Sequence, residues 1–218
     1  PRELKDANDC LIGGVPVDEF MGEIGRARNL DPDEIKSPSF YRHEIWEQFF
    51  GEAAKHDGHA LPWDMPFRIR AGEVTVWQGY TKHGKTACLQ YVLACMAAQG
   101  IKSCIASLEI HPKKTLQNIM RQAIGSAKPA NEREFDRALG WLDDWFHIYA
   151  KVGVVHLSDL LLCCEYVVRK YGVFNIIIDS LMRLDVNEED NETLKDVMNR
   201  LIEFAAANQV HIHLVAHS

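Results

Sequence analysis

The chain has 218 residues, of which 47% are hydrophobic and 25% are charged. These fractions are typical of a folded globular domain and exclude a disordered, collagen-like or low-complexity chain. The formal net charge of −7 excludes an evenly basic coat for nucleic acid. No apolar run approaches the roughly 20 residues that a membrane-spanning helix needs, so we expect no membrane partner.

Six cysteines occur without a Cys-x-x-Cys pair, mostly within apolar stretches. This pattern predicts reduced thiols in the core of a cytoplasmic protein. The chain begins at Pro1 and ends at Ser218, directly after an apolar strand-like run. We therefore expect a piece of a longer protein, with a short first part at residues 1–60 and a nucleotide-binding core, cut at its carboxyl end, at 61–218.

The first part is rich in Asp, Glu, Gly and Pro, and one amphipathic helix is predicted at about residues 37–55. Ser37 or Ser39 would cap this helix, and Pro38 suits its first turn. Its aromatic side chains would pack either on its own domain or on a neighbouring subunit.

From Phe67 onward, strands and helices alternate. This order predicts an α/β fold with a mainly parallel sheet and helices on both faces. Ligands of such sheets bind at the carboxyl ends of the strands. The predicted strands are 73–78, 102–109, 147–150, 173–180 and 210–217, and the predicted helices are 85–99, 112–125, 131–146, 158–171 and 192–208.

The segment GYTKHGKT lies between the first of these strands and the first of these helices. It matches the phosphate-binding pattern G-x-x-x-x-G-K-[ST] in the context that this pattern requires. The alternative is a tight turn with an incidental lysine and threonine. Lys85 would reach the β- and γ-phosphates, and the Thr86 hydroxyl would bind Mg²⁺. The predicted nucleotide-binding residues are Gly79, Tyr80, Thr81, Lys82, His83, Gly84, Lys85 and Thr86.

Two acidic residues end predicted strands near this loop. Asp179 would hold Mg²⁺ with Thr86, because an unpaired carboxylate is costly to bury in a core. Glu109 would orient and deprotonate the attacking water as a general base. The alternative for Glu109 is a helix-capping or solvated side chain.

Three histidines of the last predicted strand, His211, His213 and His217, fall on one face. A zinc site is not expected, because residues four apart on a strand are separated by about 13 Å. His217 ends the strand beside the loop and is predicted to sense the γ-phosphate. The alternative is a surface histidine.

These four motifs together resemble the RecA-like core of DnaB-like replicative hexameric helicases, most closely the helicase half of phage-type primase–helicases, which is related to Twinkle. The resemblance covers about 150 residues and rests on FRIRAGEVTVWQGYTKHGKT, CIASLEIHPKKTLQNIMRQAIG, NIIIDSLMRL and VHIHLVAHS. It implies a P-loop ATPase in which Lys85, Glu109 and His217 act in catalysis, while Thr86 and Asp179 bind Mg²⁺.

The resemblance also implies partners. KDANDCL, at residues 5–11, is similar to the segment that closes a Toprim primase fold, so a fused or associated primase is expected. The helix at 37–55 would be the linker that docks on an adjacent subunit. The arginine that such rings supply in trans lies beyond Ser218 in this family, so weak activity is expected of residues 1–218 alone.

Charges qualify the expected DNA contacts. The family places a DNA-contacting loop after Asp179, but here the segment carries acidic residues that would repel phosphates, namely Asp185, Glu188, Glu189 and Asp190. Lys113, Lys114 and Arg121 are interpreted as a solvated helix face rather than a DNA contact.

The leading hypothesis is a replicative DNA helicase core, of phage origin and acting in the host-cell cytoplasm. It would couple hydrolysis of ATP, or of another NTP or dNTP, to translocation on single-stranded DNA and to duplex unwinding. The alternatives are a RecA-fold recombinase or loader that assembles rings or filaments without unwinding, and more distantly a small-molecule P-loop kinase.

Overall fold

The computed structural model describes residues 7–26, 35–51, 58–63, 65–80, 82–185 and 190–217. The chain forms two compact units, Pro1–Ala54 and Lys55–Ser218. None of the described helices is both long and apolar enough to cross a membrane.

The first unit contains three described helices, α1 (Ala7–Ile12), α2 (Val17–Arg26) and α3 (Arg42–Phe50). A 3-10 turn over Pro38–Tyr41 leads into α3, so the first turn of the predicted helix is not α-helical. Ser37 occupies the cap position, but its hydroxyl lies 2.9 Å from Ser39 Oγ and makes no capping bond. Residues 52–55 of the predicted helix lie outside the described residues.

The second unit is built on a five-stranded parallel sheet with the order β3-β7-β6-β4-β5. A separate antiparallel pair, β1 (His59–Ala60) with β2 (Arg68–Ile69), precedes it in the chain. The sheet strands are β3 (Val74–Gly79), β4 (Ser103–Ser107), β5 (Phe146–Ile148), β6 (Asn175–Asp179) and β7 (His211–His217).

Five helices connect and cover these strands, namely α4 (Lys85–Ala97), α5 (Pro112–Ile124), α6 (Glu132–Trp145), α7 (Leu157–Tyr171) and α8 (Asn191–Asn208). The parallel α/β architecture is therefore as predicted. Element bounds differ from the predicted ones by a few residues at most, with β5 beginning at Phe146. Asn131 caps α6 as predicted, because its Oδ1 accepts a hydrogen bond of 2.9 Å from the Glu134 backbone N–H.

The sheet is buried on both faces, which explains why β6 is apolar without alternation. On one face, Ile177 and Val215 pack with residues of α4, α5 and α6. On the other face, Ile178 and Leu214 pack with residues of α7 and α8.

The cysteine prediction is correct only in part. All six are free thiols, but only Cys104 and Cys164 are buried, and Cys163 is exposed. Cys163 precedes the buried Cys164 on α7, and consecutive helical residues face different directions.

Candidate functional site

The predicted phosphate-binding loop joins the carboxyl end of β3 to the first turn of α4. Gly84 caps α4 with φ of 83°, a left-handed conformation that favours glycine. Lys82 also has a positive φ, of 68°. Thr81 lies outside the described residues. The loop therefore ends at a helix N-terminus, where backbone N–H groups and the helix dipole favour an anion.

The Lys85 ammonium is held by the loop itself. Its Nζ donates hydrogen bonds to the carbonyl oxygens of Gly79 and Tyr80, the second at 3.1 Å. The rings of Tyr80 and His83 contact each other edge to face, with centroids 5.6 Å apart. A cation is thus placed at the beginning of α4, where the predicted phosphates would lie.

The two predicted Mg²⁺ ligands lie together. Thr86 Oγ1 donates to Asp179 Oδ2 at 2.8 Å, across 93 residues of chain. Asp179 is only 5% exposed and ends β6, the central strand of the sheet. A hydroxyl and a carboxylate are hard oxygen donors of the kind that Mg²⁺ uses together with water and substrate phosphates.

Glu109 follows β4, which is hydrogen-bonded to β6. Its Oε1 accepts a hydrogen bond from the hydroxyl of Ser180, the residue after Asp179. The peptide bond between Asp179 and Ser180 is cis. The predicted base and the predicted metal ligand are thus carried by the ends of neighbouring strands.

His217 ends β7 with its backbone in register with Gly79, the first residue of the loop. The predicted sensor therefore occupies the same sheet edge as the loop, although its side chain lies outside the described residues. The other two histidines of β7 are buried at the opposite end of the strand. The described residues contain no group of three or more His, Cys, Asp or Glu that would hold a metal ion.

Those two histidines belong to a polar network that was not predicted. His211 contacts Thr75 Oγ1 at 2.9 Å and the Arg70 carbonyl at 2.7 Å. Trp77 Nε1 donates to His213 Nδ1 at 3.1 Å, and His213 Nε2 lies 3.3 Å from Asn175 Oδ1. The signal in the sequence was a polar residue, Asn175, within an otherwise apolar strand.

The acidic segment after Asp179 is described only in part. Residues 186–189, which include Glu188 and Glu189, lie outside the described residues. Asp185 pairs with His156 at 2.9 Å. Asp190 caps α8, and its hydrogen bonds from the Thr193 hydroxyl and the Glu192 N–H lower the pKa of its carboxyl.

Lys113, Lys114 and Arg121 lie along a groove between α5 and α6 rather than on a uniformly solvated face. The groove has a volume of about 640 Å³. Its lining combines cations with apolar side chains, among them Leu116, Met120, Lys128, Phe135 and Leu139.

Comparison with known proteins gives a fold but no sequence family. No family profile matches the sequence. A solved helicase ATPase domain superposes with a TM-score of 0.65 at 18% identity, over 84% of this chain and 72% of that one. A DnaB-like replicative helicase, described with its interactions with primase, superposes with a TM-score of 0.65 at 15% identity.

The chain has the fold of DnaB-like helicase ATPase domains. The second superposition covers 98% of this chain and 54% of that helicase, so the chain spans about half of the larger protein's length. The RecA-like α/β fold expected from the motifs is thereby confirmed, and the loop, Asp179 and Glu109 lie at the carboxyl edge of its sheet, where such folds bind ligands.

Proposed function

We propose that this chain is the nucleotide-hydrolysing motor of a replicative DNA helicase. The observation that carries the proposal is the pair of contacts Thr86–Asp179 and Ser180–Glu109, side by side at the sheet edge that bears the phosphate-binding loop. ATP, or another NTP or dNTP, is the substrate that this loop chemistry supports.

Each residue has a defined role in the proposed hydrolysis. The N–H groups at the start of α4 and the Lys85 ammonium bind and neutralise the phosphates. Glu109 orients the attacking water and accepts its proton as the water oxygen attacks the γ-phosphorus. His217, at the end of β7, responds to the presence of the γ-phosphate.

Thr86 and Asp179 are the residues that would hold Mg²⁺. The ion, when bound, neutralises charge that develops on the phosphate oxygens. The donor set suits Mg²⁺ better than zinc, because it consists of oxygens and leaves room for water and phosphate ligands.

The wider context is also part of the proposal. The fold supports a hexameric ring that translocates on single-stranded DNA, works with a fused or associated primase, and replicates phage DNA in the host cytoplasm. A net charge of −7 is compatible with this, since every subunit of a ring contributes a few cations to a narrow channel while the outside stays acidic. Residues 1–60 would be the end of a primase region and the linker helix.

The proposed ring uses α3 as its linker. No residue over Pro38–Phe50 is buried, and Trp46, Phe49 and Phe50 are all at least half exposed. The groove between α5 and α6 of a neighbouring copy matches this helix, because it offers an apolar floor for the aromatic side chains and lysines for Glu44 and Glu47. We therefore assign α3 of one copy to this groove of the next.

Lys85→Ala and Glu109→Gln in the full-length protein test the site. We expect both to abolish DNA-stimulated phosphate release. Only Glu109→Gln should keep the rise in melting temperature that Mg-ATP produces, because Glu109 acts on water and Lys85 binds phosphate. Removal of Mg²⁺ with EDTA should remove that rise in the wild type.

Lys195→Ala and Glu203→Gln, both on the exposed face of α8, are the matched controls and should hydrolyse ATP like the wild type. Unchanged turnover in Lys85→Ala or Glu109→Gln would disprove the proposed site. Hydrolysis without strand displacement on a forked duplex would support the recombinase or loader alternative instead.

A further inference from the structure

Ser180 is a buried polar residue with a direct contact to the proposed base. Its exposed fraction is 0%, and its hydroxyl donates a hydrogen bond to Glu109 Oε1. Glu109 itself is exposed. A glutamate on the surface has three rotatable side-chain bonds, so a bond to a fixed donor selects one orientation of its carboxylate.

The donor is fixed by the sheet. Strands β4 and β6 are paired with Ser107 opposite Asp179, and the Leu108 N–H donates to the Asp179 carbonyl at 2.7 Å. The Ser180 carbonyl accepts from the Arg183 N–H at 3.1 Å, which ties Ser180 to the 3-10 turn over Leu181–Arg183. The pairing therefore sets Ser180 and Glu109 beside each other at the ends of two adjacent strands.

Two consecutive residues of one strand end thus contact the two halves of the proposed chemistry. Asp179 contacts Thr86, the other proposed Mg²⁺ ligand, and Ser180 contacts the proposed base. The distance between metal and base is then determined by a single rigid segment of backbone. Precise placement of this kind is what orients a water molecule for attack.

We propose that Ser180 is a positioning residue for hydrolysis, which holds the Glu109 carboxylate in the orientation that activates water. This inference rests on the proposed hydrolytic function of the site. Ser180 contacts the base rather than the nucleotide, so its loss should reduce kcat and leave KM and nucleotide affinity near their wild-type values.

The test is a double-mutant cycle in the full-length protein, with Ser180→Ala, Glu109→Asp and the two combined. Hydrogen bonds to charged groups are worth enough that Ser180→Ala should lower kcat roughly tenfold to a hundredfold. In the Glu109→Asp background, whose shorter carboxylate is out of reach of Ser180, the same substitution should change kcat by less than about threefold.

Ser103→Ala is the matched control, because Ser103 is also 0% exposed but begins β4 at the opposite edge of the sheet. It should leave kcat unchanged. Ser180→Cys keeps the shape of serine but donates weakly, and its kcat should lie between those of the wild type and Ser180→Ala.

An unchanged or raised kcat in Ser180→Ala would overturn the inference, and so would equal losses of kcat in both Glu109 backgrounds, which would indicate a purely structural role. These results leave the proposed function standing as long as the wild type hydrolyses ATP and Lys85→Ala does not. A wild type without hydrolysis would instead overturn the proposed function and this inference with it.

Discussion

Polar side chains lie at both ends of the buried strands, and the two sets have different partners. At the carboxyl ends, Asp179 and Glu109 contact hydroxyl groups next to the phosphate-binding loop. At the amino ends, His213 is enclosed between Trp77 and Asn175. The first set faces the proposed substrate, whereas the second contributes only to the stability of the fold.

The hydrogen bonds of His213 define its protonation state. An indole N–H only donates, so the Nδ1 atom that faces Trp77 carries no proton. The Nε2 atom then carries the proton and donates to Asn175. Burial lowers the pKa of His213 well below its ordinary value, and the neighbouring His211 lowers it further. Burial also lowers the pKa of His211.

We expect the free energy of unfolding to decrease as the pH falls below about 6.5, the pKa of histidine in an unfolded chain. Below that pH the unfolded chain binds protons that the folded state excludes, so stability rises with pH by up to about 1.4 kcal/mol per unit for each histidine. Urea unfolding at several pH values between 5 and 8 measures this slope.

His213→Leu separates the contribution of His213. It should lower the free energy of unfolding at pH 8 by about 1–3 kcal/mol, because the Trp77 N–H and the Asn175 carbonyl lose their partner. It should also reduce the slope at acidic pH. His43→Leu, at an exposed position of α3, is the control and should keep the wild-type slope. An equal slope in both variants would contradict the role of His213.

At the scale of elements, α8 shows how one helix divides its faces. Val197, Leu201 and Ala205 are spaced by four residues and are buried against the sheet. Ile202 is one position from Leu201 but 47% exposed, since consecutive helical residues differ in direction by about 100°. The burial of a helix stripe, rather than the hydrophobicity of the single residue, therefore determines the contribution to stability.

Leu201→Ala and Ile202→Ala are a matched pair for this argument. Leu201→Ala should lower the free energy of unfolding by about 2–5 kcal/mol, because it removes buried methyl groups and leaves a cavity. Ile202→Ala should change it by less than about 1 kcal/mol. Urea denaturation followed by circular dichroism measures both, and equal losses would show that α8 does not pack as described.

At the scale of the whole molecule, each compact unit presents a surface that its own described residues leave uncovered. The exposed aromatic side chains of α3 belong to the first unit, and the groove between α5 and α6 belongs to the second. Exposed apolar surface of this extent marks a site of association. A ring in which each copy donates α3 to the next would cover both surfaces.

We expect Trp46→Glu on α3 and Phe135→Glu in the groove each to lower the oligomer mass of the full-length protein, because either change buries an unpaired carboxylate in an apolar contact. Light scattering coupled to size-exclusion chromatography measures the mass. Ile202→Glu, on the exposed face of α8, should keep the wild-type mass. A monomeric wild type would contradict the ring, and unchanged masses in both variants would contradict the docking of α3.

Local patterns were sufficient for most elements and for the loop. A purely apolar run predicts a strand covered on both faces, and Asn131 with Glu134 marks the start of α6, because these signals depend on neighbouring residues alone. The same reasoning failed for Ser37, whose hydroxyl contacts Ser39. It also failed for Cys163, because helix periodicity alone does not say which face of α7 meets the sheet.

By itself, the sequence determined that the chain alternates strands and helices, that a phosphate-binding loop joins β3 to α4, and that acidic residues follow two strands. Only the tertiary structure decided which groups meet: Thr86 with Asp179, Ser180 with Glu109, and His213 with Trp77 and Asn175. The reason is that these contacts depend on the order and register of parallel strands. Pairing across 71 to 136 residues is set by the packing of the whole sheet rather than by any local pattern.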